Sequence, residues 1–274
     1  MMKFIALFWC LMPLRVVGEE AHEFQYVTIE GNQIAWSCEG EGEPTIVLVA
    51  GMGLDAHASF SRTYHNYKGP GRICMYDRAG MGNSEFRNPT ARTLVQLSDE
   101  LHEVITRNGW SEILLVAHSF GGFIVRAYVS DHPDAVKGLL LLDTPHENWL
   151  PILKRELIES DWQIMERIVI WSLNKYHEDF FEAQEAVRLS HIPDDLPLTV
   201  ISRGIPHTQI RLEKMSYEGI DLFDGVHGDL QHELAGLSSK SEHRVAKYSS
   251  HMIDNFDPWL VIGEIESLLG RVSD

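Results

Sequence analysis

Ser119 lies in the run I-L-L-V-A-H-S-F-G-G over residues 113–122, between an apolar stretch at Ile113 to Ala117 and a helical pattern from Phe123 to Asp131. A serine on so tight a strand-to-helix turn lifts its hydroxyl clear of the sheet. The turn crowds backbone atoms, which requires small residues two before and two after it, and Ala117 and Gly121 meet that requirement. The helix that follows directs its N-terminus at any negative charge that develops nearby. A hydroxyl is a weak nucleophile until a base takes its proton. His251 is a candidate for that base, lying late in the chain after a short strand predicted over Arg244 to Tyr248 and before a terminal helix. These residue types predict acyl transfer, in which Ser119 attacks a carbonyl carbon while His251 shuttles the proton.

The other histidines invite a metal reading, since the chain holds 14 of them. Neither HExxH nor HxH spacing occurs, so no metal site is predicted. His118 is read as packing or hydrogen-bonding behind the serine turn. His227 and His232 are read as solvated residues flanking a helix start in a polar stretch. Serine chemistry of this kind requires no cofactor.

Short β-branched runs must carry these groups. Phe24 to Ile29 and Ile34 to Cys38, separated by Glu30-Gly31-Asn32-Gln33, predict an antiparallel hairpin. Thr45 to Ala50, Ile73 to Tyr76, Ile113 to Ala117, Gly138 to Leu142 and Leu198 to Ser202 are continuous apolar runs, the pattern of strands buried on both faces. Helical patterns alternate with them; one places Leu94, Leu97, Leu101, Val104 and Ile105 on a single face. The expectation is an α/β fold with an eight-stranded, mostly parallel, doubly wound sheet. The interval of about 55 residues between Leu142 and Leu198 needs its own structure. Its Trp149, Trp162, Ile164, Ile168, Trp171, Phe180 and Phe181 predict an inserted helical cap over about 146–196, within a domain spanning 19–274.

From Phe24 to the C-terminus the chain resembles the α/β-hydrolase family, in its serine-nucleophile branch. Ala50-Gly51-Met52-Gly53 is similar to the family's His-Gly oxyanion turn, Asp77 to Ser84 (DRAGMGNS) to its DRxGxGxS turn, and His118 to Gly122 to its serine turn. Ala50 and Ala117 depart from the family's histidine and glycine but keep small side chains. The resemblance implies His251 as the base and an oxyanion hole formed by the backbone N–H groups of Met52 and Phe120. It also implies an acid after the strand Leu198 to Ser202, yet Arg203 to His207 contains no carboxylate. Some members place the acid one strand earlier, where Asp143 stands; Asp221, Asp224 and Asp229 are the alternatives. Because the family's second strand runs antiparallel beside its fourth, the resemblance pairs Cys38 with Cys74. The activity implied is hydrolysis of a carboxylic ester-like bond in a small-molecule substrate. Amide or aminopeptide hydrolysis, or a slow-turnover ligand sensor, are the other readings. Dehalogenase and epoxide hydrolase chemistry resembles an aspartate-nucleophile arrangement, against which Ser119 argues.

Composition narrows the partners. A formal net charge of −17 without a Lys/Arg cluster disfavours binding to nucleic acid. Residues 1–18 carry Lys3, an apolar Phe4 to Leu14 and the small Val16 and Gly18, which reads as a signal peptide rather than a membrane span. A secreted or periplasmic protein without stable membrane insertion is expected. Cleavage would leave two cysteines, a count that permits a disulfide.

Overall fold

The computed structural model describes residues 24–206 and 214–273; the leader predicted over 1–18 lies outside the described residues. Eight strands form one sheet in the order β1-β2-β4-β3-β5-β6-β7-β8. They are β1 (Gln25–Ile29), β2 (Asn32–Gly40), β3 (Thr45–Val49), β4 (Arg72–Tyr76), β5 (Ile113–His118), β6 (Val136–Leu142), β7 (Leu198–Arg203) and β8 (Ser241–Ala246). β2 runs antiparallel to both its neighbours, and every other pairing is parallel. In the β1–β2 hairpin Ile29 pairs with Asn32, so Glu30 and Gly31 alone make the turn, at φ 47° and 80°. Two successive positive φ values match the strand twist of a tight hairpin. β8 begins and ends earlier than the predicted Arg244 to Tyr248, because its pairing partner β7 sets the register from Leu198↔Ser241 to Arg203↔Ala246.

Period-two alternation divides the sheet between two cores. Val47, Val49, Leu115, Ala117, Leu139, Leu141 and Val200 face α2 (Leu94–Arg107), α3 (Gly121–Asp131) and the helices between β6 and β7. Ile46, Leu48, Leu114, Val116, Leu140, Leu142 and Ile201 face α1 (Ala56–Asn66) and the terminal helix. With both faces covered, β3 and β5 are buried along their whole length, which explains their predominantly apolar sequence. Removing one such side chain, as in Leu115→Ala, would cost about 2–5 kcal/mol. The α2 start is a capping box between Thr93 and Gln96, and its predicted apolar face is the buried one.

Between β6 and β7 stand α4 (Trp149–Glu156), α5 (Glu159–Tyr176) and α6 (Phe180–Ala186). Beyond β7 follow α7 (Tyr217–Ala235), α8 (Ile253–Phe256) and α9 (Pro258–Ser273). Cys38 and Cys74 are directly opposed in the β2–β4 ladder and joined by a disulfide. Among the described residues, no helix is long and apolar enough to cross a membrane.

Candidate active site

β5 delivers Ser119 into the left-handed region, at φ 51°, a conformation costly for a residue with a Cβ. The turn is held by Ser119 N–H donating to the Leu142 carbonyl (3.0 Å) and Gly122 N–H donating to the Ser119 carbonyl (2.9 Å). Glycine at 121 is required by close approach: a Cβ there would lie 2.5 Å from the Val49 carbonyl oxygen and 2.7 Å from that of Ala50. The strands on either side of the turn thus press it into shape.

His251 stands in the loop between β8 and α8, which is pinned to the end of β7 by Gly204 and Ile205 N–H groups donating to the Ser249 carbonyl (3.1 and 3.0 Å). Its Nε2 lies 2.9 Å from Ser119 Oγ and its Nδ1 lies 2.6 Å from Asp143 Oδ2. His118, next to the serine, sends Nε2 to the His251 carbonyl (3.0 Å) and so supports the loop from behind.

Asp143 leaves the end of β6 at φ 47° and is fully buried. Four donors converge on its two oxygens. Besides His251, the Arg203 N–H (3.0 Å) and His227 Nε2 (2.8 Å) meet Oδ1, and Arg203 Nη1 (2.8 Å) meets Oδ2. Burial pushes the carboxyl up, but the facing His227 and Arg203 and the histidine hydrogen bonds outweigh it and hold the group well below the usual carboxylate range. Burial is the largest influence at His227 and lowers its pKa, and because an ionised carboxylate only accepts, His227 Nε2 is the donor in their bond.

His227 therefore corrects the sequence reading. It and His232 lie inside α7 rather than at a helix start; His232 is exposed, while His227 is buried. The signal was present, because Ile220, Phe223, His227, Leu230 and Leu234 share the buried helical face. Arg203, passed over for lacking a carboxylate, supplies two of the donors to Asp143 from the end of β7. Of the alternative acids, Asp224 pairs with Arg203 Nη2 (2.7 Å), and Asp221 and Asp229 are exposed on α7.

Met52 and Phe120 flank Ser119 in the lining of a cavity of about 430 Å³. Neither backbone N–H is bonded to another described residue, so both remain available as donors. Helix α5 turns Met165, Ile168, Val169, Ser172 and Tyr176 into the same space, at helical spacing, so the wall facing the serine is mostly apolar. No cluster of three or more His, Cys, Asp or Glu suited to a metal ion occurs among the described residues.

A strained serine turn over a mostly parallel sheet, with a histidine after the last strand, defines a class of protein. The chain belongs to the alpha/beta hydrolase fold family, whose pattern it matches over residues 44–199. It is 28% identical over 174 residues to the putative carbamate hydrolase RutD of Enterobacter cloacae, covering 55% of this chain and 60% of that protein. It is 27% identical over 142 residues to the pimeloyl-(acyl-carrier protein) methyl ester esterase of Yersinia enterocolitica, covering 49% of this chain and 51% of the relative. Among solved structures, the mouse alpha/beta hydrolase domain-containing protein 10 superposes with a TM-score of 0.64 at 15% identity, over 91% of this chain and 99% of that one. The matched stretches thus span 60% or less of these curated relatives.

Proposed function

We propose that the protein is a serine hydrolase of carboxylic esters that works through an acyl-enzyme. The observation that carries this reading is the continuous chain Ser119 Oγ, His251 Nε2, His251 Nδ1, Asp143 Oδ2, with links of 2.9 and 2.6 Å. His251 takes the Ser119 proton as Oγ attacks the substrate carbonyl carbon, and Asp143 keeps Nδ1 protonated and stabilises the imidazolium that forms. The negative charge gathering on the carbonyl oxygen is met by the Met52 and Phe120 N–H groups. His251 then protonates the departing alkoxide. Water, activated by the same ring, releases the acid and frees Ser119.

An apolar wall suits the acyl or alcohol group of an ester. Asp143, the one acidic residue lining the cavity among the described residues, already has its oxygens engaged, which disfavours the free α-ammonium of an aminopeptidase substrate. The Cys38–Cys74 disulfide and the apolar leader support export to an oxidising compartment. Ser119→Ala is expected to lower hydrolysis of p-nitrophenyl butyrate by about 10⁶-fold and to abolish labelling by a fluorophosphonate, with the melting temperature unchanged. Residual turnover near the wild-type rate would move the nucleophile elsewhere.

A further inference from the structure

Beside the oxyanion turn a second carboxylate is buried, with no hydrogen bond to Ser119 or His251. Glu178 follows α5 after His177, whose left-handed φ of 58° turns the chain back toward the sheet. It is fully buried. Its Oε1 accepts from Arg78 Nε (2.7 Å) and Arg92 Nη2 (3.4 Å), and its Oε2 accepts from the backbone N–H of Gly53 (3.1 Å). Arg78 is equally buried and spends its two other guanidinium nitrogens on consecutive carbonyls, Nη1 on Ala50 and Nη2 on Gly51, each at 2.7 Å.

These contacts have a definite geometric meaning. The Gly51 carbonyl and the Met52 N–H belong to one planar peptide unit and point in opposite directions. Arg78 therefore aims the Met52 N–H by holding the Gly51 oxygen. The next peptide unit, Met52 to Gly53, is held through the Gly53 N–H on Glu178. Both planes flanking Met52 are thus held by one ion pair, to which the turn adds the Leu54 N–H donating to the Gly51 carbonyl (3.3 Å), and Glu178 in turn orients the guanidinium fork. The Tyr176 ring closes over the same turn: a Cβ at Gly53, where φ is +66°, would lie 2.3 Å from it. Arg92 N–H donating to the His177 carbonyl (2.8 Å) ties this junction down.

We propose that Glu178 is a positioning residue for the oxyanion turn, so that the junction of α5 and α6 sets the direction of the Met52 N–H; the inference rests on the Ser119 reading above. The reason is differential: a misdirected N–H weakens the bond to the oxyanion more than it weakens ground-state binding, so turnover falls while substrate affinity holds.

The test compares Glu178→Gln with Arg92→Gln in the full chain. Glutamine keeps the shape but puts a donor where one of the carboxylate acceptors stood. Arg92 belongs to the same buried ionic group, bonding Glu178 and Glu100, yet has no hydrogen bond to the 50–53 backbone. For p-nitrophenyl butyrate, Glu178→Gln is expected to lower kcat by about 10- to 100-fold with KM within threefold. Amide exchange of the 50–54 segment should quicken at least tenfold. Arg92→Gln should lower the melting temperature as much as Glu178→Gln does, while kcat stays within threefold. If Glu178→Gln does not fold, the Glu178→Gln/Arg92→Gln pair, which removes one charge of each sign, takes its place with the same expectation. A folded Glu178 variant with wild-type kcat, or an Arg92→Gln loss of kcat as large as that of Glu178→Gln, overturns the proposal. Loss of activity in Ser119→Ala alongside normal activity in Glu178→Gln removes only the positioning role. Normal activity in Ser119→Ala removes both.

Discussion

Two buried ionic groups flank Ser119, and they are built to different ends. Around Asp143, the donors come from β7, α7 and the His251 loop, and all of them terminate on side-chain oxygens. Around Glu178, the pairs with Arg78 and Arg92 are joined by Arg92–Glu100, and the bonds that leave the group toward the serine end on backbone atoms of residues 50–53. Under the proposed mechanism the first group decides which nitrogen of His251 carries a proton. Under the proposed positioning role the second decides where a peptide plane points. Burial makes each group costly to break, since an unpaired buried charge costs about 3–5 kcal/mol, yet the functional consequences should separate.

That separation can be broken most sharply at Asp143. Asp143→Asn preserves the shape but favours the wrong imidazole tautomer, and kcat is expected to fall by about 10³- to 10⁴-fold. Steady-state kinetics on an ester checks this, with circular dichroism to verify the fold. A loss of less than tenfold would mean that the acid's charge is not what orients His251. A smaller effect is expected at His227, one of four donors to the carboxylate. A hydrogen bond to a charged group contributes about 1.5–3 kcal/mol, and Arg203 still holds Asp143 from two sides. His227→Leu should therefore lower kcat by only about tenfold, with KM little changed. If its loss matched that of Asp143→Asn, the two histidines would have to act on the carboxylate as one unit.

The disulfide provides the control that touches neither group. Replacing Cys38 and Cys74 with serine opens a closure between residues 36 apart in sequence. Stability should fall by about 3 to 4 kcal/mol, read by urea denaturation, while kcat at a temperature where the variant is folded should stay within twofold. A large kcat change would show that the β2–β4 edge communicates with the site. Two titratable thiols in the unreduced, denatured wild type would show that the bond does not form.

Much of this architecture is local in sequence and therefore legible there. Five-residue runs such as Thr45–Val49 read as buried parallel strands because covering both faces favours apolar residues throughout, and the one polar side chain, Thr45, accepts a hydrogen bond from Arg72 Nε. The serine turn reads from its small neighbours because backbone crowding acts within a few residues, as the 2.5 Å approach at Gly121 illustrates. The Cys38–Cys74 register followed from the family's strand order. Boundaries were less legible: β8 stops at Ala246 because β7, not its own composition, ends the ladder.

The sequence by itself determined the periodicities and tight turns that place a serine after β5 and a histidine after the last strand, since propensity and backbone sterics operate over a few neighbouring residues. Only the tertiary structure decided which carboxylate meets His251. Asp143 is 108 residues away from it in sequence, and Asp221, Asp224 and Asp229 are no less plausible by type. The same holds for His227, read as a surface residue until packing of α7 carried it to Asp143. It holds too for Glu178, brought 100 residues back to Arg78 by the fold of the α5–α6 junction. Pairings of buried charges are set by which chain segments the core brings together, and no local pattern encodes that choice.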